Sequence, residues 1–163
     1  MLSDKLYMQE ALMLARRAAE EGETPVGAIV VKKSTGEIIG RGYNRRETTK
    51  SPLAHAEIMA LDEARRRLGG WRVVDSVLYV TLEPCPMCAG AIINSRIDKV
   101  VYGASDKKAG SCGSVINLFE LDYNHKPEIV SGVMEEECAG VLSEFFKELR
   151  KTKVPYKKKN PND

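Results

Sequence analysis

Val77-Leu78-Tyr79-Val80-Thr81-Leu82 leads directly into Glu83-Pro84-Cys85-Pro86-Met87-Cys88. The first half is an apolar run without polar alternation, which is typical of a strand covered on both faces. The second half predicts a helix from about Pro86 to Asn94, because proline suits the first helical position, where no N–H is needed. The segment therefore predicts a buried strand that feeds a helix, with two cysteines at the junction.

The segments on either side continue this alternation of strands and helices. Apolar residues at helical spacing predict helices over 4–22, 54–68 and 134–151, and short apolar runs predict strands over 26–31, 37–44, 100–103 and 129–133. Polar composition predicts loops over 41–50 and 104–114, with one helical turn at 115–119. The order α-β-β-α-β-α-β-β-α predicts an α/β fold of three layers, in which helices cover both faces of a central sheet.

The composition limits the class of protein. A chain of 163 residues with 43% hydrophobic residues is long enough for one buried core. We expect a single domain over 1–153, followed by a basic, flexible tail over 154–163. No apolar run approaches the roughly 18 residues of a membrane span, and the first residues lack the order of a secretory signal. We therefore expect a cytoplasmic protein whose four cysteines are reduced.

The charge is distributed unevenly along the chain. The net charge is +2, but residues 147–163 hold seven Lys or Arg against two Asp or Glu. A basic end on a slightly acidic body favours a polyanionic partner. A solvated tail without a partner explains the same charges, so composition alone leaves both interpretations open.

Metal-ligating residue types occur at two predicted helix starts. His55-Ala56-Glu57 opens the second predicted helix, and Cys85 and Cys88 open the third. One imidazole and two thiols leave the fourth position of a tetrahedral zinc site to water, as a catalytic zinc requires. The pattern matches H-x-E…P-C-x-x-C, a known signature of zinc-dependent deaminases. We therefore expect a zinc ion held by His55, Cys85 and Cys88.

Glu57 distinguishes a catalytic zinc site from a structural one. A carboxylate two residues from the ligand histidine can take a proton from the activated water and return it to the leaving group. The alternative is a closed structural site, with Cys112, Cys138 or His125 as the fourth ligand. In that case Glu57 is only a charge at a helix start. Cys138 lies on the apolar stripe of the last helix, where packing explains it better than metal binding. Cys112 is left as a candidate fourth ligand.

At these residues the chain resembles the cytidine-deaminase-like superfamily, and it looks most like the bacterial tRNA-specific adenosine deaminases. The resemblance covers about residues 4–152. Besides the zinc motif it rests on Thr24-Pro25-Val26-Gly27-Ala28, Gly42-Tyr43-Asn44-Arg45-Arg46, Gly113-Ser114-Val115-Ile116-Asn117-Leu118, Asn124-His125-Lys126-Pro127 and the last helix from Glu137-Cys138 to Phe145-Phe146. The zinc motif is shared across the superfamily, so the last two stretches favour the tRNA branch.

The resemblance implies a five-stranded mixed sheet in the order 2-1-3-4-5, with strands four and five parallel, in a cytidine-deaminase-like fold. It implies hydrolytic deamination of adenosine to inosine at the wobble position, the first anticodon base of tRNA, with release of ammonia and one zinc ion per subunit. It also implies a homodimer, with helix residues near Met87 and Asn94 at the interface. The partner RNA is then a tRNA anticodon stem-loop, and no membrane is involved.

The resemblance also assigns roles to individual residues. Glu57 shuttles protons, Asn44 hydrogen-bonds the flipped base, and Asp106 contacts a nucleotide beside it. Asn124 and His125 contact the anticodon loop. The candidate phosphate contacts are Arg45, Arg46, Lys107, Lys108, Arg150 and Lys151. Outside the zinc motif, each of these residues also has a plain explanation as a strand-end, loop or surface polar group.

Two other functions use the same residues. The zinc chemistry also serves deaminases of a free base or nucleotide, of the guanine or cytosine type, which need no basic tail. A non-catalytic, zinc-stabilised RNA-binding module would need the metal ligands but not Glu57. The sequence therefore predicts an RNA-directed adenosine deaminase, with these two functions as alternatives.

Overall fold

The structure, a computed structural model, describes residues 2–152, in which helices alternate with strands. The helices are α1 (Asp4–Glu20), α2 (Arg46–Thr49), α3 (Ala56–Leu68), α4 (Pro86–Ser95) and α5 (Glu135–Thr152), with a short 3-10 helix over Leu118–Glu120. The strands are β1 (Gly27–Lys32), β2 (Ile38–Tyr43), β3 (Ser76–Leu82), β4 (Lys99–Ala104) and β5 (Glu128–Val130). None of the described helices is long and apolar enough to cross a membrane. The predicted tail over 154–163 lies outside the described residues.

The sheet confirms the strand order that the resemblance implies. Its five strands lie in the order β2-β1-β3-β4-β5. β1 pairs antiparallel with β2 and β3, whereas β3, β4 and β5 are parallel. The carboxyl ends of the parallel strands therefore share one edge of the sheet, where β3 leads to α4 and β4 leads to the loop that follows it. Ligands of open α/β sheets bind at this kind of edge.

Helices cover both faces of the sheet, so the predicted three-layer α/β/α architecture is confirmed. Successive side chains of a strand point to opposite faces. Val30 and Leu78 accordingly pack with residues of α3 and α4, whereas Ile29 and Tyr79 pack with residues of α1 and α5. All four side chains are at most 1% exposed, which explains why the strand sequences are apolar on both faces.

Glycines bring two helices into backbone contact with the sheet. A Cβ placed on Gly27 of β1 would lie 2.0 Å from the carbonyl oxygen of Ala11 in α1. A Cβ on Gly42 of β2 would lie 2.2 Å from the carbonyl oxygen of Ala56 in α3. No L side chain fits at these separations, so α1 and α3 rest directly on the strands, and the start of α3 is fixed against the sheet.

Gly27→Ala is expected to destabilise the protein by about 3 kcal/mol, the upper end of overpacking costs, because backbone atoms of α1 cannot move aside. Urea unfolding measures this loss. Gly140→Ala is the matched control, since nothing lies within 4 Å of a Cβ placed at Gly140 in α5. That variant is expected to be more stable than wild type by about 0.5–1 kcal/mol, the usual advantage of alanine over glycine inside a helix. Equal stability of the two variants would contradict the contact between α1 and β1.

The structure differs from the predicted elements at three segments. The helical turn expected over 115–119 lies at Leu118–Glu120, where the Asn117 side chain caps it by accepting a hydrogen bond from the Phe119 N–H. The loop predicted before Lys50 contains α2, a single helical turn, because the buried Glu23 carboxylate accepts hydrogen bonds from the N–H groups of Glu47 and Thr48. The fifth strand was expected over 129–133 but covers Glu128–Val130. Gly132 and Met134 beyond it have φ values of 79° and 55°, which a strand does not contain.

Candidate active site

The residues of the predicted zinc motif lie where loops lead into helices. His55 immediately precedes α3 and Cys85 immediately precedes α4, and both have extended backbone conformations. Pro86 occupies the first position of α4, as predicted. Because Cys85 and Cys88 are three residues apart at a helix start, their sulfurs lie on the same side of α4.

Three potential ligand atoms converge at these helix starts, all within 4.8 Å of one another. His55 Nδ1 lies 3.6 Å from Cys85 Sγ and 3.5 Å from Cys88 Sγ. Tetrahedral zinc with Zn–S of about 2.3 Å and Zn–N of about 2.05 Å separates nitrogen and sulfur ligands by about 3.55 Å. The observed distances fit zinc, and they indicate Nδ1 as the imidazole nitrogen that faces the metal position.

No fourth ligand completes a closed metal site among residues 2–152, where these three side chains form the one group found. Cys138 packs instead against Gly103 of β4. His125 Nε2 donates a hydrogen bond to the Ile97 carbonyl. Cys112 is buried but also lies outside the ligand group. The geometry therefore favours a site with an open fourth position, which catalysis requires.

Hydrogen bonds set the protonation of the ligand group. The hydrogen bond from Cys88, aided by His55, lowers the pKa of Cys85 to about 4. The same bond between the two sulfurs, together with burial, raises the pKa of Cys88. Cys85 in turn raises the pKa of His55. A thiolate is the form of cysteine that binds metal, so Cys85 is already in its ligating form, whereas the raised pKa values of Cys88 and His55 mean that zinc displaces a proton from each when it binds.

Glu57 is buried in the first turn of α3, with 4% of its surface exposed. Burial raises the pKa of its carboxyl group, and hydrogen bonds from its own N–H and from Cys88 oppose this in part. A raised pKa suits a group that takes up and returns protons near neutral pH. The burial and the raised pKa of Glu57 are therefore compatible with a general acid and base.

A cavity of about 590 Å³ opens at this edge of the sheet. Five of the residues expected to act as zinc ligands, proton carrier or nucleotide contacts line it together, namely Asn44, His55, Glu57, Cys85 and Asp106. The other lining residues are Thr24, Val26, Arg46, Ala56, Leu82, Glu83, Ser105, Lys107, Lys108, Ala109, Leu142 and Phe146. The volume is typical of a small-molecule site and is sufficient for a nucleoside.

Asn44 faces the cavity from the end of β2, and its amide is held in one orientation. Its Oδ1 accepts a hydrogen bond from the Arg46 N–H, and its Nδ2 donates to the Thr24 carbonyl. These bonds use one lone pair and one N–H of the side chain. One acceptor and one donor remain for a ligand in the cavity.

Asp106 lies in the loop that follows β4. Its Oδ1 accepts hydrogen bonds from the N–H groups of Lys108 and Ala109, a local turn that orients the carboxylate. Lys107 and Lys108 are exposed and also line the cavity. This loop therefore brings one carboxylate and two cations to the site.

The structure does not bring Asn124 and His125 to the cavity. Asn124 is exposed in the segment between the 3-10 helix and β5. His125 is half-buried, and its Nε2 is bonded to the Ile97 carbonyl near the end of α4. Any contact of these residues with RNA lies outside the cavity.

Two kinds of residue at the site are not indicated by the sequence. Leu142 and Phe146 belong to the stripe that predicted core packing of the last helix, yet they line the cavity, and Phe146 is 41% exposed. Glu23 and Glu83 are buried carboxylates. Glu23 accepts hydrogen bonds from α2, and Glu83 accepts them from the loop after β4. The one sequence signal for Glu83 is its place between the buried strand and Pro84, and Glu23 has no comparable signal.

Comparison with known proteins identifies relatives along the whole chain. A family model described as the cytidine and deoxycytidylate deaminase zinc-binding region matches residues 1–104. The tRNA-specific adenosine deaminase of Bacillus subtilis (strain 168) is 54% identical over 159 residues, which cover 97% of this chain and 98% of that protein. A solved structure from work on A-to-I editing by tRNA:A34 deaminases at the wobble position of transfer RNA is 42% identical, with a TM-score of 0.80 over 83% of this chain and 98% of its own.

The fold alone does not separate substrates. A guanine deaminase from Nitrosomonas europaea has the same fold, with a TM-score of 0.73 at 23% identity over 89% of this chain and 85% of its own. The zinc-binding family match and the His55, Cys85 and Cys88 group agree that the cofactor is zinc. The chain belongs to the cytidine and deoxycytidylate deaminase zinc-binding family and, within it, to the group that contains the tRNA-specific adenosine deaminases.

Proposed function

We propose that the protein converts adenosine to inosine at the wobble position of a tRNA anticodon and releases ammonia. The observation that carries the proposal is one cavity in which two of the zinc-ligand residues, His55 and Cys85, lie together with Glu57, Asn44 and three cations. The cations are Arg46, Lys107 and Lys108. The ligands and Glu57 support hydrolytic deamination, and the cations suit a phosphate-bearing substrate. The extensive identity to the Bacillus subtilis tRNA-specific adenosine deaminase supports the choice of RNA.

His55, Cys85 and Cys88 are the proposed ligands of the zinc ion. Zinc, when bound, supplies a water nucleophile at neutral pH by lowering the pKa of that water. The chain contributes a fixed ligand arrangement, because the ligands lie at the starts of α3 and α4, which pack on the sheet. Cys88 is fully buried, so solvent has little access to its sulfur.

Glu57 is the proposed proton carrier. Attack of water on C6 of adenine requires that the water lose a proton, and the Glu57 carboxylate accepts it. The ring nitrogen N1 gains a proton as C6 becomes tetrahedral, and N6 gains another before it leaves as ammonia. Glu57, with its raised pKa, accepts and returns these protons in turn. Water and adenosine thus give inosine and ammonia.

Asn44 and Asp106 are the proposed contacts that orient the RNA. The free N–H and lone pair of the Asn44 amide can bond the edge of a base that has left the stack. Asp106 can accept a hydrogen bond from a nucleotide beside the target. Phe146 offers an exposed aromatic surface at the cavity, which suits an unstacked base.

Further contacts are proposed outside the cavity. Asn124 has an exposed side chain, and His125 keeps Nδ1 for RNA while Nε2 holds the Ile97 carbonyl. Phosphates of the anticodon stem-loop are proposed to meet Arg45, Arg46, Lys107, Lys108, Arg150 and Lys151.

The salt dependence of the reaction distinguishes an RNA substrate from a free base. Contacts of Arg46, Lys107 and Lys108 with three phosphates predict that KM for an anticodon stem-loop rises about 18-fold from 50 to 200 mM salt, given the single-strand slope of about 0.7 per phosphate. Steady-state kinetics at several salt concentrations measure this slope. If the protein deaminated free guanine or cytosine at a rate independent of salt and did not deaminate RNA, the result would support a free-base deaminase instead.

A homodimer is the proposed assembly, with α4 at the interface. A Cβ placed on Gly90 of α4 meets nothing within 4 Å, so this glycine is not required by packing within the chain. A shallow groove beside it is lined by Trp71, Ala91 and Asn94 among others, and Trp71 is 54% exposed. A second copy would cover these apolar groups.

Gly90→Phe is expected to convert a dimer into a monomer, because the side chain fits the isolated subunit but not a helix that packs closely on a partner. Sedimentation velocity measures the mass, and circular dichroism and zinc content test the fold. Gly140→Phe in α5, where a Cβ also meets nothing within 4 Å, is the matched control and should remain dimeric. A monomeric wild type, or a dimeric Gly90→Phe variant, would contradict this interface.

Residues 1–153 are proposed to form the single catalytic domain, with 154–163 as a basic extension.

The cytoplasm is the proposed location, since the four cysteines are all free and two of them are needed as reduced ligands.

A further inference from the structure

We infer that Glu83 is a positioning residue, whose buried carboxylate holds the loop 105–114 in the conformation that presents Asp106, Lys107 and Lys108 to the cavity. The inference rests on the proposed function, since it gives the loop a part in RNA binding. Glu83 acts through the loop and not on the reacting atoms.

The carboxylate of Glu83 is occupied by the loop. Oε1 accepts from the Asp106 N–H at 3.2 Å and from the Ser114 hydroxyl. Oε2 accepts from the N–H groups of Cys112 at 3.1 Å and Ser114 at 3.2 Å. A carboxylate has about four lone-pair sites, so these bonds leave little capacity for a substrate. The donors come from both ends of the loop, so the Glu83 side chain holds the two ends together.

The loop is packed onto this carboxylate without spare room. A Cβ placed on Gly110 would lie 2.2 Å from Glu83 Oε2 and 2.4 Å from the Asp106 carbonyl oxygen. The Gly110 N–H donates to that same carbonyl at 2.8 Å. The neighbouring backbone adds a bond of 2.8 Å from the Ser111 N–H to the Pro84 carbonyl. The loop conformation thus depends on the Glu83 carboxylate and on the absence of a side chain at Gly110.

The loop and the proton carrier belong to different elements. Asp106, Lys107 and Lys108 follow β4, whereas Glu57 lies in α3. Loss of the Glu83 acceptor sites would release the loop at both ends but leave Glu57 in place. We therefore expect weaker RNA binding with a smaller effect on the chemical step.

Glu23 provides a matched control for a buried carboxylate of the same kind. It is 1% exposed and accepts hydrogen bonds from the N–H groups of Glu47 at 3.0 Å and Thr48 at 2.8 Å. These donors belong to α2 (Arg46–Thr49), an element separate from the loop 105–114. Loss of Glu23 should disturb α2 without changing the contribution of Lys107 and Lys108.

The test uses three variants of the zinc-loaded full chain, Glu83→Gln, Gly110→Ala and Glu23→Gln. Each is measured alone and in combination with the double substitution Lys107→Ala/Lys108→Ala. Glu83→Gln keeps the side-chain size but replaces an acceptor oxygen with a donor. We expect it to keep zinc and to speed amide hydrogen exchange at Asp106, Cys112 and Ser114 by at least about tenfold. KM for the anticodon stem-loop should rise about tenfold, with kcat changed less than about threefold.

The double-variant comparison separates positioning from general damage. Removal of both lysines is expected to raise KM by some factor in the wild type. In the Glu83→Gln and Gly110→Ala backgrounds, the same removal should raise KM by less than half of that factor, since misplaced lysines contribute little to binding. In the Glu23→Gln background the lysine effect should be complete. Unchanged exchange at the three amides, or an undiminished lysine effect in both loop variants, would overturn the inference. If the wild type forms no inosine, the proposed function fails, and hydrogen exchange alone then decides whether Glu83 holds the loop.

Discussion

Glu57→Gln is expected to lower turnover of the anticodon stem-loop by about 10³-fold, within the range for loss of a general acid and base. Glutamine keeps the size of the side chain but cannot accept the proton of the attacking water or return it to N6. Glu57 is not a member of the ligand group, so the variant should still bind one zinc ion per chain. Single-turnover kinetics and metal analysis on the same preparation measure both effects.

Glu63→Gln is the control for this variant. Glu63 also lies on α3, but its side chain is 39% exposed and pairs with Arg67. Its turnover should remain within about twofold of wild type, as for surface substitutions in general. If Glu57→Gln kept wild-type turnover, Glu57 would not be the proton carrier. Binding of the stem-loop without turnover, in the wild type and in this variant alike, would instead support the non-catalytic RNA-binding module.

Cys88→Ser is expected to lose the bound zinc during dialysis against a chelator and to lose deamination with it, by at least about 10³-fold. A hydroxyl is a poor substitute for a thiolate at a zinc site of this donor type. Loss of zinc should also lower the melting temperature, because a ligand that binds the native state stabilises it. Metal analysis, thermal unfolding and activity measure these three changes.

Cys112→Ser tests the closed-site alternative directly. Cys112 is buried, but its sulfur does not join the ligand group. The variant should therefore keep one zinc ion per chain under the same dialysis. Loss of zinc from Cys112→Ser, to the extent seen for Cys88→Ser, would show that Cys112 is a fourth ligand and that the site is closed.

The fold was largely predictable because its sheet is buried on both faces. Runs such as Val77–Leu82 have no polar alternation, and a strand between two helical layers requires this pattern. The turn α2 was not predicted, because it depends on hydrogen bonds from Glu47 and Thr48 to Glu23, more than 20 residues earlier. Long-range polar contacts of this kind leave no periodicity in the sequence.

The metal-ligand group was predictable for a different reason. Histidine and cysteine at helix starts have a narrow range of uses, and C-x-x-C spacing places both sulfurs on one side of a helix. The nitrogen that faces the metal position and the open fourth position required the structure, since both depend on how α3 and α4 approach each other. The resemblance proposed Asn44 and Asp106, and the structure places both in the cavity.

The remaining site residues were not predictable from residue type. Phe146 and Leu142 have helical spacing, which indicates core packing equally well, and only the position of α5 places them at the cavity. In the sequence, Glu83 is indistinguishable from a charged residue at the end of a strand. Its function is apparent only from its four hydrogen bonds to the loop 105–114. Asn124 and His125 were expected to contact RNA, and that expectation stays a prediction because they lie away from the cavity.

The formation of inosine tests the central proposal most directly. Purified, zinc-loaded protein is incubated with a tRNA anticodon stem-loop that has adenosine at the wobble position, and the nucleosides are identified by mass spectrometry after digestion. Matched reactions contain a stem-loop with guanosine at that position and adenosine elsewhere in the loop, or free adenine, guanine and cytosine. We predict inosine at the wobble position of the first RNA, with ammonia in equal amount, and little product elsewhere. No inosine in that RNA, together with deamination of a free base, would contradict the proposed function.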